Sequence, residues 1–272
     1  MKSYAKINLS LDVVSKREDG YHNIASIMQR IDIYDEMEIE KSEKFNFDSD
    51  MELPEENTVT KAYRVLTEYM ERDLPVSVKL HKNIPTGAGL AGGSANAATL
   101  FEEINRIYDL NLSTDDLRKL GVKVGADVPF MIGGETALCE GIGDLITDLD
   151  INFSKLKALI INPGFEISSK EVYSQMNIRD ERIDFKSLEM SLKNGNLTEI
   201  SKYLRNDMEN VVFKKYKEVE NIKEELLKHT QSALMSGSGS TVYGLFDNED
   251  DLKKAYDKFK KLYKNTYMVN LI

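Results

Sequence analysis

The chain has 272 residues and one cysteine, Cys139, so no internal disulfide can form. A single thiol fits a reducing compartment and points to the cytoplasm. No run approaches the ~18 apolar residues of a membrane span, and no leading apolar stretch resembles a signal peptide. Positive charge is in deficit: 36 Lys and Arg face 46 Asp and Glu, a net charge of -10. Such a chain lacks the broad basic patch that holds nucleic acid or an anionic membrane. Any anion must be held locally, by a few lysines and backbone N–H groups. The three histidines, His22, His81 and His229, are scattered, without a Cys/His/Asp spacing for zinc. The sequence holds no repeats and no low-complexity tract.

What is present supports a sizeable core. Hydrophobic residues make up 41% of the chain, enough for one large domain or two ordinary ones. In YAKINLSLDV, from Tyr4 to Val13, the apolar residues Ala5, Ile7, Leu9, Leu11 and Val13 alternate with Lys6, Asn8, Ser10 and Asp12. Period two marks a strand, and it sets Lys6 and Asn8 on a shared face away from the core. Asp19-Gly20 signals a turn. Strand-like runs follow at about 24–31 and 33–40. From Asn57, apolar residues at helical spacing predict a helix with Asn57 as its N-cap. The stretch PVSVKLHKN reads as a strand, helices are predicted from near Ser94 and near Ser113, and TALCEGIGD reads as another strand. Residues 148–156 are polar and without period, which predicts domains at 1–152 and 153–272. The second half alternates strands and helices and ends in a βαβ pattern, predicting an α+β domain.

The stretch NIPTGAGLAGGSANAATL, from Asn83 to Leu100, holds four glycines and five alanines between a strand and a helix. Helix-start N–H groups lack intrahelical partners, and the helix dipole favours negative charge there. Glycines let backbone approach phosphate oxygens. Ser94 can add a hydroxyl to a phosphate or a metal ion. A tight strand-to-helix connection would also use small residues. No Gly-Lys-[Ser/Thr] follows, so this is not the P-loop, and the preceding antiparallel order disfavours a dinucleotide fingerprint.

The stretch IPTGAGLAGGSANAA resembles the ATP loop of the GHMP superfamily, small-molecule kinases that include galactokinase, homoserine kinase, mevalonate kinase and phosphomevalonate kinase. Three further segments, AKINLSLDVVSKREDGYHNIASIMQ, GADVPFMIGG and MSGSGSTVYGLF, fall in the family's order. AKINL followed by DGYH is similar to the branch that phosphorylates 4-diphosphocytidyl-2-C-methyl-D-erythritol in the non-mevalonate route to isoprenoid precursors. The loop departs from the commonest pattern at Ala91, where glycine is usual, and at Ala95, where a second serine is common.

The resemblance implies a two-domain α+β fold. It has an N-terminal mixed α/β domain carrying the ATP loop, a ferredoxin-like C-terminal domain, and the active site in the cleft between them. It implies transfer of the γ-phosphoryl of ATP, with Mg2+, onto the 2-hydroxyl of the cytidine-diphosphate-linked alcohol. Asp127 matches the catalytic aspartate and Lys6 the lysine paired with it. Asn57, Pro85, Gly87, Gly89, Leu90, Gly92, Gly93 and Ser94 match the ATP site. Asn8, Tyr21, His22, Tyr173, Gly237 and Ser238 match the substrate side, with cytosine expected between Tyr21 and Tyr173. Taken singly, several residues have simpler readings: Asp127 and Asn57 as helix N-caps, Tyr21 as a turn-flanking aromatic, and the Lys6 face as solvated surface. No nucleic-acid or membrane partner is expected, and the assembly is a monomer or weak homodimer. The alternatives are a kinase for another small alcohol, such as homoserine or mevalonate, and a nucleotide-binding module without catalysis.

Overall fold

The computed structural model describes residues 1–272. The first half comprises β1 (Lys2–Lys16), β2 (His22–Lys41), β3 (Asn46–Ser49), α1 (Thr58–Met70), β4 (Val76–His81), α2 (Gly92–Ile107), α3 (Thr114–Val124), α4 (Val128–Met131), β5 (Thr136–Gly141) and β6 (Leu145–Asp148). Its sheet runs β3-β4-β2-β5-β6, with β1 also paired to β2. Strand β2 is a single 20-residue ribbon rather than the two runs expected from sequence. No turn residue interrupts it, and Asp32, in the middle, accepts from the backbone and side chain of Asn270. One part of β2 pairs with β4 and another with β5, while β1 follows it along most of its length.

The second half comprises β7 (Lys157–Asn162), α5 (Ser169–Ser174), α6 (Phe185–Asn194), α7 (Leu197–Ser201), α8 (Glu209–Lys215), α9 (Lys217–Leu226), β8 (Ser232–Met235), β9 (Val242–Phe246), α10 (Glu249–Phe259) and β10 (Asn265–Asn270). Its antiparallel sheet is ordered β10-β7-β9-β8. The last unit, β9–α10–β10, therefore leaves room for β7 between its strands, the split βαβ arrangement of a ferredoxin-like domain.

Helix α1 starts at Asn57, whose side chain accepts from the Val59 and Thr60 N–H groups, and it buries Val59, Ala62 and Leu66. Ser113 caps α3, with Asp115 and Asp116 in its first turn where the dipole favours acids. Helix α2 buries Ala97, Leu100, Phe101 and Ile104, the face read from sequence. It begins at Gly92, two residues before Ser94, because Ala91 enters the left-handed region at φ 56° and forms the cap.

Strand β1 does not carry the solvated face of the simpler reading. Lys6, Asn8, Ser10 and Asp12 are all buried, not turned to solvent. The second half covers that face: the Ser10 hydroxyl donates to the Tyr203 and Arg205 carbonyls, and Asp12 pairs with Arg182 and Arg205. Both faces of β1 therefore lie between layers, and each meets the second domain in part, with Ile7 and Leu9 packed in one cluster with Ile160, Leu234 and Tyr243 on the apolar side.

Candidate active site

The glycine loop leaves β4 and turns into α2 around a cavity of about 330 Å³. Asn57, Pro85, Gly87, Gly89, Gly92, Gly93, Ser94, Asp127 and Ser238 line it. Leu90 does not. Its side chain is fully buried, and its carbonyl accepts the Lys6 N–H at 3.1 Å. Asn57 lines the cavity while capping α1.

The loop's carbonyls point at the second domain. The Gly87 carbonyl accepts from Ile167 N–H, Ala88 from Thr241 N–H, and Gly89 from the Ser236 hydroxyl at 2.9 Å. With these acceptors engaged, the start of α2 can offer N–H groups to an anion. Gly89 admits no substitute: it lies at φ +77°, and a Cβ there would sit 2.1 Å from the Ser236 carbonyl oxygen.

Beside the loop, the Lys6 ammonium donates to Asn8 Oδ1 at 2.7 Å and to the Gly89 carbonyl at 3.3 Å, and it lies 3.6 Å from Asp127 Oδ2. The Lys6 side chain is 4% exposed and that of Asp127 33%. The lysine is thus held in place while the carboxylate remains reachable. Asp127 precedes α4, but its side chain makes no capping bond to that helix. Asn8 is oriented in turn: its Nδ2 donates to Ser26 Oγ, which donates to the Ser10 carbonyl. The Asn8 N–H also donates to Ser236 Oγ, and its carbonyl accepts from Tyr243. A second lysine, Lys82, lines the cavity but is paired with buried Asp35. Each lysine at the site therefore has an aspartate partner.

At the other end, the rings of His22 and Tyr173 stack at 5.0 Å with 18° between planes. Tyr21, expected on the opposite face of the cytosine, projects outward, 59% exposed. Burial pushes the His22 imidazole below its ordinary value, with Lys16 acting in the same direction. A neutral ring keeps one donor and one acceptor. Burial, then the Asp127 charge, pushes the Tyr173 hydroxyl up, so it stays protonated. Tyr173 is joined to the cavity through α5: Ser169, at the start of that helix, bonds the Ser238 hydroxyl at 2.7 Å. Gly237 sits against Gly89, and its carbonyl accepts from Asn206 Nδ2 at 2.8 Å. The structure thus brings Lys6, Asn8, Asp127, Gly237, Ser238 and the loop together. It sets His22 and Tyr173 apart as a second pair and leaves Tyr21 at the surface.

Ser26, Asp35, Lys82, Asn206 and Ser236 belong to this neighbourhood and were not singled out from sequence. Ser26 lies within AKINLSLDVVSKREDGYHNIASIMQ and Ser236 within MSGSGSTVYGLF, while Lys82 and Asn206 carried no local signal. Cys139 is fully buried, out of reach of a substrate, and burial, then the Asp127 charge, pushes its thiol up. A larger groove of about 900 Å³ lies in the second domain, lined by residues such as Lys155, Asn196, Gln231 and Asp247. It contains no residue of the glycine loop and neither member of the Lys6–Asp127 pair.

The family model described as the GHMP kinases N terminal domain matches residues 57–135, and that described as GHMP kinases C terminal matches residues 188–265. The chain is 44% identical to the 4-diphosphocytidyl-2-C-methyl-D-erythritol kinase of Thermoanaerobacter pseudethanolicus, covering 97% of this chain and 92% of the relative. It is 40% identical to the protein of that name from Clostridium perfringens strain 13, covering 97% and 94%. A crystal structure of 4-(cytidine 5'-diphospho)-2C-methyl-D-erythritol kinase superposes with a TM-score of 0.85 at 25% identity, covering 100% of this chain and 98% of the other. Homoserine kinase from Cytophaga hutchinsonii is similar in fold, with a TM-score of 0.75 at 18% identity, covering 100% and 96%.

Proposed function

The chain belongs to the GHMP kinase family, and from that premise we propose that it transfers the γ-phosphoryl of ATP to the 2-hydroxyl of 4-diphosphocytidyl-2-C-methyl-D-erythritol. The observation that carries the reading is the Lys6–Asp127 pair, 3.6 Å apart at the edge of the glycine-loop cavity. Phosphoryl transfer depends mainly on positioning and on stabilising charge, and a base beside the acceptor hydroxyl assists it.

Asp127 is the group exposed enough to take the hydroxyl proton. The Lys6 ammonium lies beside that carboxylate and faces the oxygen that becomes nucleophilic. Asn8 fixes the ammonium, and Ser26 fixes Asn8. The cavity suits a triphosphate tail. At Gly92 a Cβ would press on Ile84 at 2.9 Å, so only glycine leaves the backbone open there. The two Lys–Asp pairs cancel in formal charge, which leaves the tail to be neutralised by the N-terminus of α2 and by Mg2+, with Ser94 as the available hydroxyl ligand. His22 and Tyr173 supply a polar edge and an aromatic face for the cytosine, with Tyr21 free to close on it. The ATP loop belongs to a domain of residues 1–152 and the substrate loop to one of 153–272. No helix is long and apolar enough to cross a membrane, and the single thiol suits the cytoplasm.

The test is ADP release with a panel of alcohols: the cytidine-diphosphate-linked alcohol, its uridine analogue, homoserine and mevalonate. The cytidine-linked substrate should be turned over with the highest kcat/KM. Preference for homoserine or mevalonate would move the chain to another branch of the family, and ATP binding without turnover of any alcohol would leave only a nucleotide-binding module.

A further inference from the structure

We propose that Asp35 is the positioning residue of the phosphate loop, clamping both ends of it through Lys82 and Asn96. The inference rests on reading the glycine loop as the ATP site.

A glycine-rich loop is conformationally loose, and its N–H groups grip an anion only if something outside holds them in place. The second domain engages the middle of the loop. Its two ends converge on one carboxylate. Asp35 lies on β2, is fully buried, and uses both oxygens. Oδ1 accepts from the backbone N–H groups of Asn83 and Ile84, each at 2.8 Å, where the loop begins. Oδ2 accepts from Asn96 Nδ2 at 2.9 Å, in the second turn of α2 where the loop has ended, and from the Lys82 ammonium. Lys82 also donates to Asn96 Oδ1 at 3.2 Å, and Asn96 Nδ2 to Ser3 Oγ at 3.0 Å. Asn96 is 2% exposed and the Lys82 side chain 4%. Both residues line the cavity.

A buried ion pair is weak evidence for stability, since apolar residues of equal volume often do as well. What it supplies here is geometry. The carboxylate fixes the distance between the end of β4 and the first turns of α2, and so the mouth of the loop. It also takes up the Lys82 charge. Lys82 then orders the loop instead of reaching for the phosphates, and the grip falls to backbone N–H groups.

The test compares Asn96→Ala with the unaltered chain. Alanine keeps α2 helical and removes the link between its ends. KM for ATP should rise about tenfold, the size of one lost hydrogen bond to a charged group. KM for the alcohol should stay within about twofold of its original value. A merely structural loss would lower the active fraction, and so kcat, without separating the two KM values. Asp35→Asn, which keeps an acceptor for Asn83 and Ile84 but sets an amide against Lys82, should show the same ATP-selective loss. Calorimetric ADP binding to the folded proteins provides a second readout that needs no turnover. If Asn96→Ala binds ADP as tightly as the unaltered chain, or raises both KM values alike, the clamp is overturned. If the unaltered chain itself binds no ADP, the reading of the loop as an ATP site fails, and the clamp fails with it.

Discussion

Lys6 directs its ammonium at Asn8, Gly89 and Asp127 together, and that fixed geometry makes the aspartate testable. Asp127→Asn should keep the fold and both ligands, because the amide is nearly isosteric, and lose turnover by about 10²-fold or more, since it cannot accept the proton. Single-turnover kinetics at saturating ATP would measure this, and near-normal turnover would remove Asp127 as the base. His22 carries a pH prediction. Burial lowers its folded-state value below the ordinary one of about 6.5. Above that pH both folded and unfolded chains hold it neutral, and its contribution to stability is complete. As pH falls below about 6.5 the unfolded chain takes up the proton first, so stability declines toward and through the folded value. The protonated ring also loses its acceptor. KM for the cytidine-linked substrate should therefore rise on acidification while KM for ATP does not, and His22→Ala should abolish that difference. Equal pH profiles for the two KM values would place base recognition elsewhere. The residues that carry these predictions were legible because each sits in a short motif, AKINL, DGYH or GADVPF. Asp35 was not. In IDIYDEMEIE it stands in the apolar register of the alternating strand, with Ile31, Ile33, Met37 and Ile39, so period marks it as a buried acid, but its partners Lys82 and Asn96 lie 47 and 61 residues away. On β1, period alone cannot tell a polar residue facing water from one facing another layer, as Lys6, Asn8, Ser10 and Asp12 show.

The elements were mostly legible where one strong period runs unbroken: α1, α2, α10 and the strands of the C-terminal sheet. Their ends were less so. Helix α2 starts two residues early because Ala91 adopts a backbone conformation that alanine seldom takes, a cost no propensity scale assigns in advance. The short helices between β7 and β8 carry too few turns to establish a period. At this scale the glycine loop and the Gly237–Thr241 loop act as one unit, touching where Gly89 meets Gly237 and where the Ala88 carbonyl accepts from the Thr241 N–H. Gly89→Ala should be destabilising for two reasons. The positive φ costs about 1–3 kcal/mol, and overlap with the Ser236 carbonyl adds a comparable amount. Gly164→Ala separates the two effects, because Gly164 also has a positive φ, +91°, but nothing lies within 4 Å of its Cβ. Urea titrations should therefore show a smaller loss at 164, and ATP affinity should fall only in Gly89→Ala. Equal losses with unchanged ATP affinity would mean that the two loops are not coupled through this contact.

At the scale of the whole molecule, the two sheets share their cores. One apolar cluster joins Ile7, Leu9, Ile27 and Ile31 of the first half to Ile160, Leu234, Tyr243, Leu245 and Val269 of the second. The other also draws on both halves, with Phe101, Phe130 and Leu120 beside Leu159, Met235 and Phe259. The last residue returns to the first sheet, where the Ile272 N–H donates to the Arg30 carbonyl at 3.1 Å. A cut near residue 150 would thus expose buried Ile7 and Ile160 alike. Chains beyond ~150 residues often unfold through intermediates, so cooperativity here would come from these shared cores. The expectation is one transition in urea, seen at the same midpoint by far-ultraviolet circular dichroism and by tyrosine fluorescence, the chain having 13 tyrosines and no tryptophan. Nucleotide sharpens the test. At 100 times its Kd a ligand adds about 2.7 kcal/mol to the stability of whatever unit must fold to bind it. If the halves unfold together, MgADP shifts the whole transition at every probe. If they unfold separately, it splits the curve, moving the half that carries the glycine loop and leaving the other in place. A split curve would make the polar face of β1 a separable interface, and the loop contacts at Gly87, Ala88 and Gly89 would then be made and broken with each opening of the cleft.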